Sequence, residues 1–278
     1  MDESGQDEST SFGYETVPEA EKRARVRGVF ASVARRYDLM NDLMSMGVHR
    51  LWKDAFVSQL APTSRMRIVD CAGGTGDIAF RMVERSRRGP DAAHVTIVDV
   101  NEEMLRAGRE RPEATKLAAH LVWITGDAEA LPLPDRFADA YTIAFGIRNV
   151  THRDRALAEA RRVLKPGGRF LCLEFSAPVV PVLDDLYERF SFSLIPKIGK
   201  WVAKDEASYR YLVESIRRFP NQEAFAAEIK AAGFKTITIR NLSGGIAAVH
   251  SAWALCSALA PFSRQRESIS AGCPPSRA

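Results

Sequence analysis

The chain has 278 residues, of which 46% are apolar and 27% charged. That balance excludes a disordered chain, a collagen-like fibre and a disulfide scaffold. The formal net charge of +4 is too small by itself to argue for nucleic acid. The four cysteines, Cys71, Cys172, Cys256 and Cys273, lie far apart with no CxxC pair. Cys71 and Cys172 sit in apolar runs, which reads as reduced, buried thiols in a cytoplasmic compartment. No uninterrupted apolar run of roughly 18 residues occurs, so no membrane span is predicted. The acidic start MDESGQDESTS reads as neither a signal peptide nor a transit peptide.

In chain order, residues 1–15 read as a disordered lead. Thr16 and Glu19 have capping-box spacing, and Val26, Val29, Phe30, Val33 and Tyr37 recur at helical spacing. A second helix fits 48–60, closed by Pro62. The pattern then changes to alternation. Strands are predicted over 66–71, 94–100, 121–125, 138–145 and 169–175. Helices are predicted at about 77–88, 102–110 and 154–164, with a Lys-Pro-Gly-Gly turn at 165–168. Such alternation predicts a parallel, doubly wound α/β sheet. Val182, Leu183, Leu186, Tyr187, Phe190 and Leu194 then make an apolar helical stripe that Pro196 ends, and Lys197, Lys200 and Lys204 follow around Trp201. A helix over 221–232 precedes two last strands, 235–241 and 246–254, joined by Ser243-Gly244-Gly245. That short join predicts a hairpin, hence about seven strands with an antiparallel end. Residues 254–278 read as a flexible tail.

Val69-Asp70-Cys71-Ala72-Gly73-Gly74-Thr75-Gly76-Asp77 is a strand end, a glycine turn and a helix start. Glycines let backbone approach a ligand, and a helix N-terminus offers free N–H groups. Gly74, Gly76 and Ala79 also satisfy the GxGxxA form of the dinucleotide fingerprint, so an NAD-dependent oxidoreductase is the competing reading. Asp70 weighs against it. A carboxylate before the loop repels a pyrophosphate but suits a ligand carrying an ammonium and a sulfonium. Asp99 ends the second strand, where it can accept from both ribose hydroxyls. Asp127 follows the third, where it can accept from an adenine amino group. Acids after three consecutive strands, at the edge where open α/β sheets bind ligands, point to S-adenosylmethionine.

These segments resemble a class I S-adenosylmethionine-dependent methyltransferase, and more closely the ubiquinone/menaquinone biosynthesis C-methyltransferase family. The resemblance rests on YDLMNDLMSMGVHRLWK (37–53), AGGTGD (72–77), GDAEALPLPD (126–135), FGIRNVTHRDRAL (145–157), RVLKPGGR (162–169), LEFS (173–176), SYRYLVESIRRFPNQE (208–223) and NLSGGIAAVHS (241–251). It covers roughly residues 12–252. It implies a Rossmann-like α/β domain over 16–253, with cover helices at 16–62 and an inserted lid at 178–210. It also implies cofactor contacts at Thr75, Asp99, Asp127 and Ala128, beside Asp70, Gly73, Gly74 and Gly76 of the loop. The family often has Ser before FG(L/I)RN. Here that residue is Ala144, so a contact there comes from backbone. The tail is a departure the resemblance does not explain.

The implied reaction methylates a ring carbon of a polyprenylated quinol. A ring carbon is a poor nucleophile until an adjacent hydroxyl loses its proton, so the reduced quinol is the sensible substrate. Arg148 and Asn149 follow the fourth strand and are expected catalytic residues, Arg148 as a fixed cation for a phenolate. His49 and Tyr37, on the cover helices, are further candidates, and Tyr209 and Arg210 weaker ones. No metal is needed, and no residues have metal-ligand spacing. The tailed substrate predicts peripheral contact with the inner face of the quinone-containing membrane, through 182–201. Other quinone-biosynthesis enzymes and a second copy of the chain are compatible partners. Two further alternatives are a non-catalytic subunit of a quinone-synthesis complex and an RNA methyltransferase. The intact cofactor positions oppose the first, and the absence of a basic stripe with interleaved aromatics opposes the second.

Overall fold

The structure, a computed structural model, describes residues 9–33, 42, 45, 47–87, 91–177 and 206–255. The chain opens with an antiparallel hairpin, β1 (Ser9–Phe12) and β2 (Glu15–Pro18), turned at Gly13 with φ 57°. Helix α1 (Glu19–Val33) follows directly. The lead expected through residue 15 is therefore structured from Ser9, and Thr16 pairs with Ser11 instead of capping a helix. Four-residue strands this polar carry no periodic signal, and tertiary contacts hold them. The Phe12 ring stacks on Tyr211 at 4.1 Å. The Tyr14 N–H donates to Glu214, and Arg218 donates to the Gly13 carbonyl.

Helix α2 (His49–Leu60) buries Trp52, Phe56 and Leu60 at i, i+4 and i+8, and ends at Ala61 with φ 52° just before Pro62. The α/β alternation then follows: β3 (Arg67–Cys71), α3 (Asp77–Ser86), β4 (His94–Asp99), α4 (Glu102–Arg109), a short α5 (Pro112–Lys116), β5 (Leu121–Thr125), β6 (Ala138–Ala144), α6 (Arg153–Val163) and β7 (Leu164–Phe175). Helices α7 (Glu206–Arg218) and α8 (Gln222–Ala231) lead to the final hairpin, β8 (Lys235–Leu242) and β9 (Ala247–Ala254).

Seven strands form one sheet in the order β5-β4-β3-β6-β7-β9-β8. Pairings from β5 through β7 are parallel, and β9 runs antiparallel to both β7 and β8. The predicted architecture, including the antiparallel end, is thus present. Successive strand residues face opposite sides, and both sides are packed. Ile68, Ile97 and Leu171 join Trp52, Phe56 and Phe80 on one side. Val69, Val98 and Phe170 join Tyr141, Phe225 and Phe234 on the other.

Three local features depart from expectation. The Lys-Pro-Gly-Gly turn lies inside β7, where pairing jumps from Ala138–Leu164 to Ala140–Arg169. Residues 206–210, assigned to the inserted lid, open helix α7. Helix α5 was not anticipated, because five residues are too few to show a period. The stripe at 182–194, Lys197, Lys200, Trp201, Lys204, Tyr37 and the tail beyond residue 255 lie outside the described residues.

Chain order leaves β3 in one direction toward β4 and in the other toward β6, which makes a crevice at their carboxyl ends. Gly76 sets how α3 leaves it. Its φ is 81°, and a Cβ there would lie 2.7 Å from the Trp123 ring and 3.0 Å from Phe80. Backbone strain and overpacking combine, so Gly76→Ala should destabilise the fold by roughly 2–4 kcal/mol, read as a lowered urea midpoint.

Candidate active site

A cavity of about 280 Å³ lies at that crevice. Its floor is the carboxyl edge of β3 to β6, and its roof comes from α1, through Val26, Arg27 and Phe30, and from Lys53 on α2. β3 delivers Asp70, which is 1% exposed. The Thr142 hydroxyl donates to Asp70 Oδ1 at 2.7 Å, while Oδ2 has no hydrogen-bond partner among the described residues. Burial, opposed by Thr142 and reinforced by Asp77 and Asp99, pushes the carboxyl up to about 7. Gly73 sits against it: a Cβ there would lie 3.0 Å from Asp70 Oδ2 and 2.7 Å from Ile97. A side chain at Gly73 would therefore press on that oxygen, which is itself buried.

The Gly74 N–H donates to Asp99 Oδ2 at 2.9 Å, and the Asn101 N–H to Oδ1 at 2.8 Å. These bonds aim the carboxylate at the end of β4. Burial still raises it to about 6. Thr75 lines the cavity, as do Asp127 and Ala128 beyond β5. Asp127 is fixed by accepting from the Glu129 N–H at 2.9 Å. Ala144, at the end of β6, also lines it. The next turn comes very close to the glycine loop, since a Cβ on Gly146 would lie 2.4 Å from that of Ala72. Gly76 does not line the cavity; its role is the packing described above.

The catalytic candidates divide. Asn149 lines the cavity, and its Oδ1 accepts from the Tyr211 hydroxyl at 3.0 Å. Burial pushes Tyr211 up to about 12, so it keeps its proton. Arg148 does not line the cavity. Its side chain is 3% exposed and pairs with Glu174, itself 1% exposed, at 2.7 Å. It also donates to the Phe145 carbonyl at 2.6 Å and lies over the Phe175 ring. The cation expected to face a phenolate is instead an internal strut, because a buried guanidinium goes to the nearest buried carboxylate. His49 is also outside the cavity, with Nε2 2.8 Å from Asp42. Burial, then the neighbouring Lys53, lowers its pKa and keeps it neutral. The Arg210 side chain is exposed, and the Tyr209 side chain lies outside the description.

Sequence reasoning missed Lys53, Asp77 and Glu129, all of which line the cavity. Lys53 carried a readable signal. It lies next to Trp52 and three residues before Phe56, on the apolar face of α2, where a lysine needs a buried partner.

The donor set fits one cofactor chemistry. A cavity lined by Asp70, Asp99 and Asp127, with an unpartnered buried carboxylate oxygen against the glycine loop, suits a cationic ligand such as S-adenosylmethionine better than a pyrophosphate. Fold and cavity together define a class I S-adenosylmethionine-dependent methyltransferase. The sequence profile of the ubiE/COQ5 methyltransferase family matches residues 18–254, and the chain belongs to that family. It is 57% identical over 256 residues to the ubiquinone/menaquinone biosynthesis C-methyltransferase of Caulobacter vibrioides, covering 89% of this chain and 98% of that one. Identity to the Brucella abortus counterpart is 58% over 247 residues, covering 88% and 91%. Among solved structures, an S-adenosylmethionine-dependent methyltransferase of Thermotoga maritima shares the fold at 21% identity and TM-score 0.55, covering 82% and 98%. Phosphoethanolamine N-methyltransferase 2 of Haemonchus contortus, solved with S-adenosyl-L-methionine, matches at 14% identity and TM-score 0.54, covering 74% of this chain and 52% of that one.

Two outcomes follow. Arg148→Met leaves Glu174 buried and unpaired, so it should cost about 3–5 kcal/mol in denaturant unfolding, while Arg148→Met combined with Glu174→Leu should recover most of that loss. Asp70 and Asp99 are raised above the ordinary carboxylate value of about 4, so the ligand-free fold holds extra protons. Their contribution to stability is present below about pH 4 and is lost as pH rises through 6 to 7. A cationic ligand favours the ionised forms, so the thermal shift given by S-adenosylmethionine should grow over that same interval.

Proposed function

We propose that the protein transfers a methyl group from S-adenosylmethionine to a ring carbon of a polyprenylated quinol on the routes to ubiquinone or menaquinone. The substrate is 2-methoxy-6-polyprenyl-1,4-benzoquinol, demethylmenaquinol or both. The carrying observation is identity of 57–58% across nearly the whole chain to C-methyltransferases named for those routes, with the cofactor cavity intact.

Bound S-adenosylmethionine supplies an electrophilic methyl group. The protein positions the ring, excludes water and stabilises the phenolate that makes a ring carbon nucleophilic. Asn149 is suited to that last task. Its carbonyl oxygen is taken by Tyr211, which stays a donor. Its two amide N–H donors are then left for a phenolate oxygen beside Ala144. Arg148 serves indirectly by holding the Phe145 carbonyl in the same turn. The phenolic proton passes to water. The methyl–sulfur bond would break as the methyl–ring carbon bond forms, and loss of the ring hydrogen as a proton would restore the aromatic ring as a phenolate, which takes a proton back from water.

None of the described helices is long and apolar enough to cross a membrane. A substrate with an isoprenoid tail is then met at the bilayer surface, and the apolar and lysine-rich sequence at 182–201 is the segment suited to that contact.

Incubation with S-adenosylmethionine and each demethylated quinol, kept reduced, should add the mass of one methyl group to at least one of them; no gain on either overturns the reading. Asn149→Ala should lower kcat roughly 100-fold with cofactor affinity nearly unchanged. Loss of affinity at constant kcat would place Asn149 in cofactor binding instead.

A further inference from the structure

Lys53 is a buried cation with more hydrogen-bonding capacity than its neighbours use. Its side chain is 3% exposed, it lines the cavity, and its Nζ lies 2.8 Å from Asp77 Oδ2. An ammonium has three N–H donors, and Asp77 is the one acceptor it meets among the described residues. Asp77 does not need Lys53 alone for charge balance. Its other oxygen accepts from Arg81 at 3.1 Å, and Arg81 also pairs with Asp54. Two donors of a desolvated ammonium thus remain for whatever fills the cavity.

The position of this surplus is informative. Asp77 opens α3, immediately after the glycine loop that follows β3. Near the end of the same strand, Asp70 lines the cavity, and its buried oxygen Oδ2 has no partner among the described residues. The β3 side of the cavity therefore carries both a cation with unused donors and a carboxyl group with an unsatisfied oxygen. The β4 and β5 sides offer acids, Asp99 and Asp127. The remaining cations of the cavity wall among the described residues are Arg23 and Arg27, both on α1. Arg23 pairs with Glu129, beyond β5, and Arg27 donates back to the Arg23 carbonyl.

We infer that Lys53 binds the α-carboxylate of the cofactor's amino-acid end, with Asp70 taking the α-ammonium. This rests on the methyltransferase reading and adds a specific anion-binding residue to it. The balance of charge makes the arrangement necessary. In a cavity lined by Asp70, Asp77, Asp99, Asp127 and Glu129, a carboxylate enters against like charge unless a cation meets it. Without Lys53, a ligand lacking the carboxylate would bind better than one that has it.

That reversal is the test. Isothermal titration of the wild-type protein with S-adenosylmethionine and with decarboxylated S-adenosylmethionine should show tighter binding of the first. Lys53→Met should weaken the first by roughly 10- to 100-fold, the scale of one charge-assisted hydrogen bond. The second should stay within about threefold or tighten, and Lys53→Arg should recover part of the preference. Equal weakening of both ligands would make Lys53 a support for the glycine loop and overturn the inference, as would unchanged affinity for S-adenosylmethionine. Should Lys53→Met fail to fold, the wild-type comparison still decides, because equal or reversed preference overturns the inference without any variant. Failure of the wild-type protein to bind S-adenosylmethionine would instead overturn the methyltransferase reading beneath it.

Discussion

A carboxylic acid buried at the end of a parallel strand is expensive to ionise until a cation arrives. Asp70 is in that position, with one oxygen satisfied by Thr142 and the other by nothing described around it. The rest of the cavity is arranged about this constraint. Gly73 has no side chain to press on the unpartnered, buried oxygen. Asp99 adds negative charge across the loop and is aimed by the N–H of Gly74. The site is thus an acidic cradle whose ligand-free form favours the protonated acids, and a cationic ligand would favour their ionised forms. Preference for a cationic cofactor over a pyrophosphate follows from the same charge.

The turn after β6 is organised by a different buried charge. Arg148 and Glu174 neutralise one another inside the protein. Through the Phe145 carbonyl they hold the turn that carries Asn149. From Asn149 a chain of contacts runs outward, to the Tyr211 hydroxyl and then through the stacked ring of Phe12 to the N-terminal hairpin. The hairpin leads directly into α1, which roofs the cofactor cavity. The roof and the turn that carries Asn149 are consequently tied, through this aromatic pair and also through Lys22, which donates to the Val150 carbonyl, and His152, which pairs with Glu19. An ion pair of this kind adds little net stability relative to an apolar core, but loss of one partner is costly. Its value here lies in fixing the geometry of the turn.

Much of the fold was legible, for a physical reason. Strands such as Arg67–Cys71 and His94–Asp99 are covered on both faces and are largely apolar, and their helices bury one stripe, so the strands leave short apolar runs and the helices periodic traces. The glycine loop and the strand-end acids were equally legible, because their chemistry requires those residue types at those places. The hairpin at Ser9–Pro18 was not, since its stability comes from Tyr211, Glu214 and Arg218, about two hundred residues away in the chain. The roles of Arg148 and Gly76 were also misplaced. A motif names a residue but not its direction, and direction is set by Glu174 in one case and by Trp123 and Phe80 in the other.

The sequence by itself determined the α/β alternation, the antiparallel end, an acid at or near the end of each of three strands and the kind of cofactor those acids suit. These are consequences of local periodicity and of residue chemistry, which need no partner to be read. Only the tertiary structure decided which polar groups face the cavity and which neutralise each other inside the protein. It turned Asn149 and Lys53 inward and folded Arg148 onto Glu174. That choice depends on which buried charges find a counter-charge within hydrogen-bond reach, and such distances exist only once the chain is packed.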